Sequence, residues 1–268
     1  MSIRLSGVGY CHAGSRAALH DVTLSIAPGE RVALIGPSGA GKTTLLRLLA
    51  THLRPASGEL ELLGAQPWAL SGRARQDLRT RIGLIHQAPP LPPRQRVVNA
   101  VLAGRLGHWS LGRSLFSLLL PVDRQGAAEA LGRLDLADKL YQRCDELSGG
   151  QLQRVGIARV LYQAPELILA DEPVSAMDPV LAAGALRVLT REAQQRGSTL
   201  IASLHAVELA LEHFPRVIGL REGRILFDKP SAAVSATELD ALYRNEQIAS
   251  APAAAVPTLT QTLLIPRC

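Results

Sequence analysis

The sequence predicts an α/β fold: a mostly parallel sheet, an antiparallel β portion near the N-terminus and an inserted α-helical subdomain. Three observations lead there. Short apolar runs rich in branched residues alternate with segments of helical spacing, as in a parallel sheet covered on both faces. The first two candidate strands instead alternate apolar and polar residues, as half-buried antiparallel strands do. The stretch 97–162 carries helical patterns and no strand signal.

In chain order, residues 3–10 and 21–26 are the alternating strands. Arg31-Val32-Ala33-Leu34-Ile35 is a buried strand that ends at a glycine, and 42–53 repeats leucine at helical spacing. Further buried strands are expected at 82–85, 167–170, 199–203 and 217–220, with helices between them. Pro121 breaks the helical stretch, since proline cannot continue a helix. Residues 224–229 form a last strand. A terminal helix at 237–245 precedes an Ala/Pro-rich tail of poor order, 251–257 being almost only Ala, Pro and Val. The expected division is one domain over 1–230, then a helix and tail over 231–268.

Composition bounds the function classes. With 268 residues, 47% hydrophobic and 19% charged, the chain can bury a sizeable globular core. The excess of 29 basic over 23 acidic residues suits a nucleotide, a nucleic acid or an anionic membrane surface. It is spread along the chain, however, so a mild cationic bias is favoured over a nucleic-acid site. The most apolar run, 115–120, is far short of the ~20 residues that cross a bilayer, and no signal-peptide pattern opens the chain. Cys11, Cys144 and Cys268 lack metal-like spacing, which fits a reduced compartment.

The chemistry lies in five elements. Gly36-Pro37-Ser38-Gly39-Ala40-Gly41-Lys42-Thr43, with Thr44 next, stands between a strand and a helix. Its glycines let backbone N–H groups converge on phosphates, and the helix N-terminus adds its dipole. Lys42 supplies a point charge for the β and γ phosphates, and the Thr43 hydroxyl is placed to ligate Mg²⁺. Asp171 and Glu172 end a strand at the sheet's carboxyl edge, where α/β proteins place ligand sites. Alone, such a pair is a solvated strand end. Behind a phosphate loop, Asp171 reads as a Mg²⁺ holder and Glu172 as the group that orients the attacking water. Leu147-Ser148-Gly149-Gly150-Gln151 starts a helix over 151–162 with Ser148 as N-cap, a second anion-binding helix start. Gln87 and His205 each follow a predicted strand and, taken singly, carry little.

Taken in chain order, Gly36–Thr43, Gln87, Leu147–Gln151, Asp171-Glu172 and His205, the five elements resemble the ATP-binding cassette (ABC) ATPases over roughly residues 3–230. The resemblance implies a P-loop NTPase core that binds ATP and Mg²⁺ and works as a head-to-tail dimer. In it Ser148, Gly149, Gly150 and Gln151 bind the γ-phosphate held by the other copy. Gln87 becomes the glutamine-loop residue that senses Mg²⁺ and water, His205 the switch histidine and Glu172 the catalytic carboxylate. Tyr10 stacks on adenine, although an edge-strand tyrosine is as readily a packing residue. Asp178, in Ser175-Ala176-Met177-Asp178, belongs to the loop that crosses the dimer interface; Met177 departs from the commoner leucine.

Within the family, Asn99-Ala100-Val101-Leu102-Ala103-Gly104-Arg105-Leu106-Gly107, Arg113-Ser114-Leu115-Phe116 and Tyr141-Gln142-Arg143 resemble phosphonate-importer ATPases, as does Asp171-Glu172-Pro173-Val174-Ser175. That implies a peripheral subunit on the cytoplasmic face of the membrane, a membrane permease as partner and a periplasmic solute-binding protein reached through it. No nucleic-acid partner is expected. The alternatives are a soluble subunit associated with carbon–phosphorus bond cleavage, an ABC ATPase for another solute, a nucleic-acid or translation ATPase and a phosphate-loop kinase. The proline-rich Ala88-Pro89-Pro90-Leu91-Pro92-Pro93 is either a shaped permease groove or a rigid surface loop.

Overall fold

The computed structural model describes residues 2–12 and 17–244. In chain order the strands and helices are β1 (Ile3–Cys11), β2 (Ala17–Ile26), β3 (Arg31–Ile35), α1 (Lys42–Leu49), β4 (Ser57–Leu62), α2 (Gly72–Thr80) and β5 (Ile82–Ile85). Helices α3 (Val97–Leu102), α4 (Leu111–Leu119), α5 (Arg124–Gly132) and α6 (Gly149–Gln163) follow without an intervening strand. The chain then alternates through β6 (Leu167–Asp171), α7 (Pro179–Arg196), β7 (Thr199–Ser203), α8 (Val207–His213), β8 (Arg216–Arg221), β9 (Arg224–Pro230) and α9 (Ala236–Tyr243).

The central sheet runs β5-β6-β7-β3-β8-β9, parallel except for the β8/β9 pair. Strands β3, β5, β6 and β7 read as largely apolar runs because both faces are covered. Alternation still sorts their side chains. Ala33, Ile35, Ile168, Ala170, Leu200 and Ala202 face the core shared with α6, α7 and α8. Val32, Leu34, Leu167, Leu169, Ile201 and Ile218 face α1 and the second, antiparallel sheet β2-β1-β4. One strand thus feeds two cores, a consequence of its two-residue period.

Register also builds the site's platform. Ala170 is level with Ile85 and Ala202, Asp171 with Ser203, and Leu34 with Ser203. Residues just beyond these strand ends, Gly36, Gln87, Glu172 and His205, therefore emerge at one edge.

Several boundaries differ from expectation. The first helix ends at Leu49, not at 53: Thr51 adopts a left-handed φ of 59°, and the His52 and Leu53 N–H groups turn back to Arg47 O. Arg79 locks that turn by donating to Thr51 Oγ1 and Thr51 O at 2.8 and 2.9 Å. Strand β4 was not anticipated, since its apolar pattern is only Leu60 and Leu62, and pairing with β1 supplies the rest. Helix α6 begins at Gly149 rather than at 151, behind the expected Ser148 cap. Around Pro121, α4 ends at Leu119 and α5 restarts behind an Asp123 cap, its side chain accepting from Gly126 N at 2.9 Å. Asn245, the 251–257 segment and Cys268 lie outside the described residues.

Candidate functional site

Strand β3 delivers the glycine-rich loop, and its backbone demands glycine at two places above all. At Gly36 (φ 149°) a Cβ would lie 2.0 Å from Leu220 O. At Gly41 (φ 104°), the N-cap of α1, it would lie 2.7 Å from Ala18 O. Both positions combine a left-handed φ with a close backbone approach that no side chain permits. The loop is tied down by Ala40 N donating to Pro37 O and Gly223 N donating to Ala40 O, at 3.1 and 3.0 Å. Gly36 N donates to the Tyr243 hydroxyl of α9 at 3.2 Å. Ser38 and Gly39 form the exposed tip.

Lys42 is 6% exposed, and its ammonium donates to Gly36 O and Pro37 O at 2.5 and 3.1 Å. The cation lies folded over the loop that presents the backbone N–H groups, so charge and donors converge where a polyphosphate would sit. Thr43 Oγ1 donates to Asp171 Oδ1 at 3.1 Å, and Ser203 Oγ donates to the same oxygen at 2.9 Å. A hydroxyl and a carboxylate side by side form a hard oxygen pair. Among the described residues no group of three or more His, Cys, Asp or Glu could hold a metal ion. That sparse set fits Mg²⁺, which keeps several waters and takes one or two protein oxygens together with substrate phosphates.

Glu172 lies one residue beyond. Its Oε1 pairs with His205 Nε2 at 2.7 Å, and its Oε2 accepts from Gln87 Nε2 at 2.7 Å. Three residues carried by three different strand ends thus meet on one carboxylate. His86, just before Gln87, is held below the usual histidine range by burial first, then by the charges of His52 and Arg159. It therefore stays neutral at physiological pH.

Ser148 and Gln151 form a reciprocal capping box: Gln151 N donates to Ser148 Oγ at 3.3 Å and Ser148 N to Gln151 Oε1 at 2.9 Å. Gly150 lies beside the 175–178 turn, where a Cβ would stand 3.0 Å from Ala176 O. Asp178 caps α7, accepting from Val180 N and Leu181 N at 3.1 and 3.0 Å. Tyr10 is half-buried and meets His12 edge-on, with ring centroids 5.0 Å apart. His12 Nε2 lies 3.3 Å from Thr44 Oγ1, which places Tyr10 near the start of α1. The proline segment is partly packed: Pro89 sits against Gly156 of α6, while Asp145 N donates to Pro93 O at 2.8 Å.

Sequence reasoning missed Gln153 and Ser203, both fully buried and both bonded into this cluster. The signal for Gln153 was a polar residue at helical spacing from the buried Ile157 and Val160. Ser203 offered only a hydroxyl at the end of an apolar strand. Tyr243 was also missed, because its contact with Gly36 joins segments 207 residues apart in the chain.

The family model described as ABC transporter matches residues 19–175, more than half of the chain. The phosphonates import ATP-binding proteins PhnC 2 of Pseudomonas aeruginosa (strain UCBPP-PA14) and PhnC 1 of P. aeruginosa PAO1 are each 68% identical over the whole of both chains. PhnC of Pseudomonas fluorescens (strain Pf0-1) is 64% identical over the same extent. Among solved structures, the dimeric bacterial ABC transporter cassette MJ0796 is 28% identical with a TM-score of 0.74, covering 85% of this chain and 98% of that one. The same cassette as a post-hydrolysis dimer bound to ADP and Pi is 26% identical with a TM-score of 0.72, at the same coverage. Cassette architecture, phosphate loop and relatives agree, and the chain belongs to the ABC transporter ATP-binding family.

Proposed function

We propose that this chain is the ATP-hydrolysing subunit of an importer for phosphonates or related phosphorus oxyanions. The observation that carries the reading is the Glu172 carboxylate, held by Gln87 and His205 beside the Thr43–Asp171 pair at the mouth of a phosphate loop. Identity of 68% over the full length to phosphonates import ATP-binding proteins supports the solute class.

In this reading residues 1–230 act as one cassette with the helical segment 97–162 inserted, and 231–268 are a C-terminal helix and an Ala/Pro-rich tail. The Gly36–Gly41 loop, with Pro37 and Ala40 shaping it, holds the triphosphate through the backbone N–H groups of Ser38, Gly39 and Gly41, together with Lys42, Thr43 and Thr44. Tyr10 stacks on the base. Thr43, Asp171 and Gln87 hold Mg²⁺, which when bound neutralises charge on the phosphates. Glu172 orients and polarises the attacking water, and Gln87 and His205 fix its two oxygens. Ser148, Gly149, Gly150 and Gln151 meet the nucleotide of a second copy, with Asp178 at the dimer interface, so closure needs two chains and two nucleotides. Exposure of that capped helix start agrees with a partner-facing role. No described helix is long and apolar enough to cross a membrane. In this reading the subunit works peripherally, on the cytoplasmic face, through a permease.

Glu172→Gln removes the charge and keeps the size. ATP binding is expected to persist, turnover to fall roughly 10²–10⁴-fold and a closed dimer to accumulate. Size-exclusion chromatography with light scattering and a phosphate-release assay read both effects; unchanged turnover refutes the role of Glu172. For the solute, ATPase activity of the reconstituted transporter is measured with phosphonates and with unrelated solutes. Absence of selective stimulation by phosphonates rejects the assignment.

A further inference from the structure

We infer that Gln153, on the helix that opens at Ser148, is a positioning residue for hydrolysis whose carboxamide holds the backbone of Glu172 in place. The inference rests on the role proposed above for Glu172.

Gln153 is 0% exposed on a helix whose neighbouring buried residues are Val155, Ile157 and Val160. A carboxamide buried there is destabilising unless its hydrogen bonds are made. They are all made, and all toward the site. Nε2 donates to Glu172 O at 2.9 Å, to Gln87 O at 3.2 Å and to Ser175 Oγ at 3.2 Å. Oε1 accepts from Ala176 N at 2.9 Å. That last bond requires an acceptor and so sets which end of the amide is oxygen.

Two features make this more than core satisfaction. Glu172 has a φ of 47°, a left-handed conformation unfavourable for a non-glycine residue, which persists only when its surroundings over-determine it. The surroundings do so from both sides of the residue. Its N–H donates to Ser203 Oγ and Ser203 O at 3.0 and 3.2 Å, and its carbonyl accepts from Gln153 and from the Ser175 hydroxyl, the latter at 3.2 Å. The second feature is the pairing. One Gln153 nitrogen binds the main-chain carbonyls of both Gln87 and Glu172, whose side chains form the 2.7 Å hydrogen bond described above. A single carboxamide therefore sets the spacing of the two backbones that carry that bond. Because Gln153 lies five residues beyond Ser148 on the same helix, a shift of α6 reaches the aim of the Glu172 carboxylate directly.

The test uses the full-length chain with Gln153→Met, which conserves volume and removes every hydrogen bond. Gln153→Glu accompanies it, keeping an acceptor for Ala176 N–H, and is the variant to read if the methionine protein does not fold. Steady-state ATP hydrolysis is measured for each, for Glu172→Gln and for the double variant with Glu172→Gln. A positioning role predicts a kcat at least about ten-fold lower with KM for ATP within roughly three-fold. It also predicts less than about two-fold further loss in the double variant, because Gln153 acts through a carboxylate already removed. The inference is overturned if kcat stays within about two-fold while Glu172→Gln is inactive, or if KM rises with kcat retained, or if the two losses multiply. Normal turnover in Glu172→Gln would instead overturn the role of Glu172 itself, and the inference with it.

Discussion

Replacing Ser203 by alanine separates holding the site from merely filling the core. Ser203 is fully buried at the end of β7, and its hydroxyl donates to Asp171 Oδ1 at 2.9 Å while accepting from Glu172 N at 3.0 Å. Alanine leaves Asp171 with the Thr43 hydroxyl at 3.1 Å, and leaves Glu172 N with the Ser203 carbonyl at 3.2 Å. Neither group is orphaned, so the loss is chiefly that of one hydrogen bond to a charged group, about 1.5–3 kcal/mol. At about 2–4 °C per kcal/mol for a chain of this size, the melting midpoint should fall by roughly 3–12 °C. If a similar energy is lost from the transition state, kcat drops about 10- to 100-fold, since each ~1.4 kcal/mol is ten-fold. The assay pairs a thermal melt with ATP turnover measured well below the melting midpoint. A variant that melts early yet retains kcat within about two-fold would refute the reasoning, by showing that the hydroxyl supports the fold but not the aim of Asp171 and Glu172.

Lys42→Ala should weaken ATP binding at least about 100-fold, as expected for losing two charge-assisted contacts of about 1.5–3 kcal/mol each; calorimetric titration checks this, and an unchanged Kd rejects the phosphate-site assignment. The Tyr162 phenol is pushed up to about 12 by burial first and then by its hydrogen bond to Asp123, whose Oδ2 lies 2.9 Å away. Its proton is held more tightly folded than unfolded, so that contribution to stability is complete below pH 10 and declines as pH rises toward 12. Denaturant titrations at pH 9 and pH 11 should show a decline that Tyr162→Phe diminishes; identical slopes for both proteins would remove the coupling.

Much of this molecule was legible one segment at a time. Arg31–Ile35, Ile82–Ile85 and Thr199–Ser203 were expected at their observed bounds, because a strand covered on both faces must be apolar over most of its length. The glycine-rich turn was legible because its backbone admits few other residues, and the Ser148 cap because serine there satisfies N–H groups the helix cannot. Strand β4 was not, since two leucines suffice once β1 provides a template.

Local chemistry, written residue by residue, determined which side chains are acidic, cationic or glycine and roughly which element carries each. Tertiary structure alone decided who meets whom. Register brings Gln87, Glu172 and His205 onto one carboxylate across separations of 85 residues between the first two and about thirty between the last two. It also turned Gln153 and Ser203, unremarkable in sequence, into the clasp on Glu172. The physical reason is that a pairing between distant segments is fixed by sheet register and core packing, and neither is a property of any short stretch of chain.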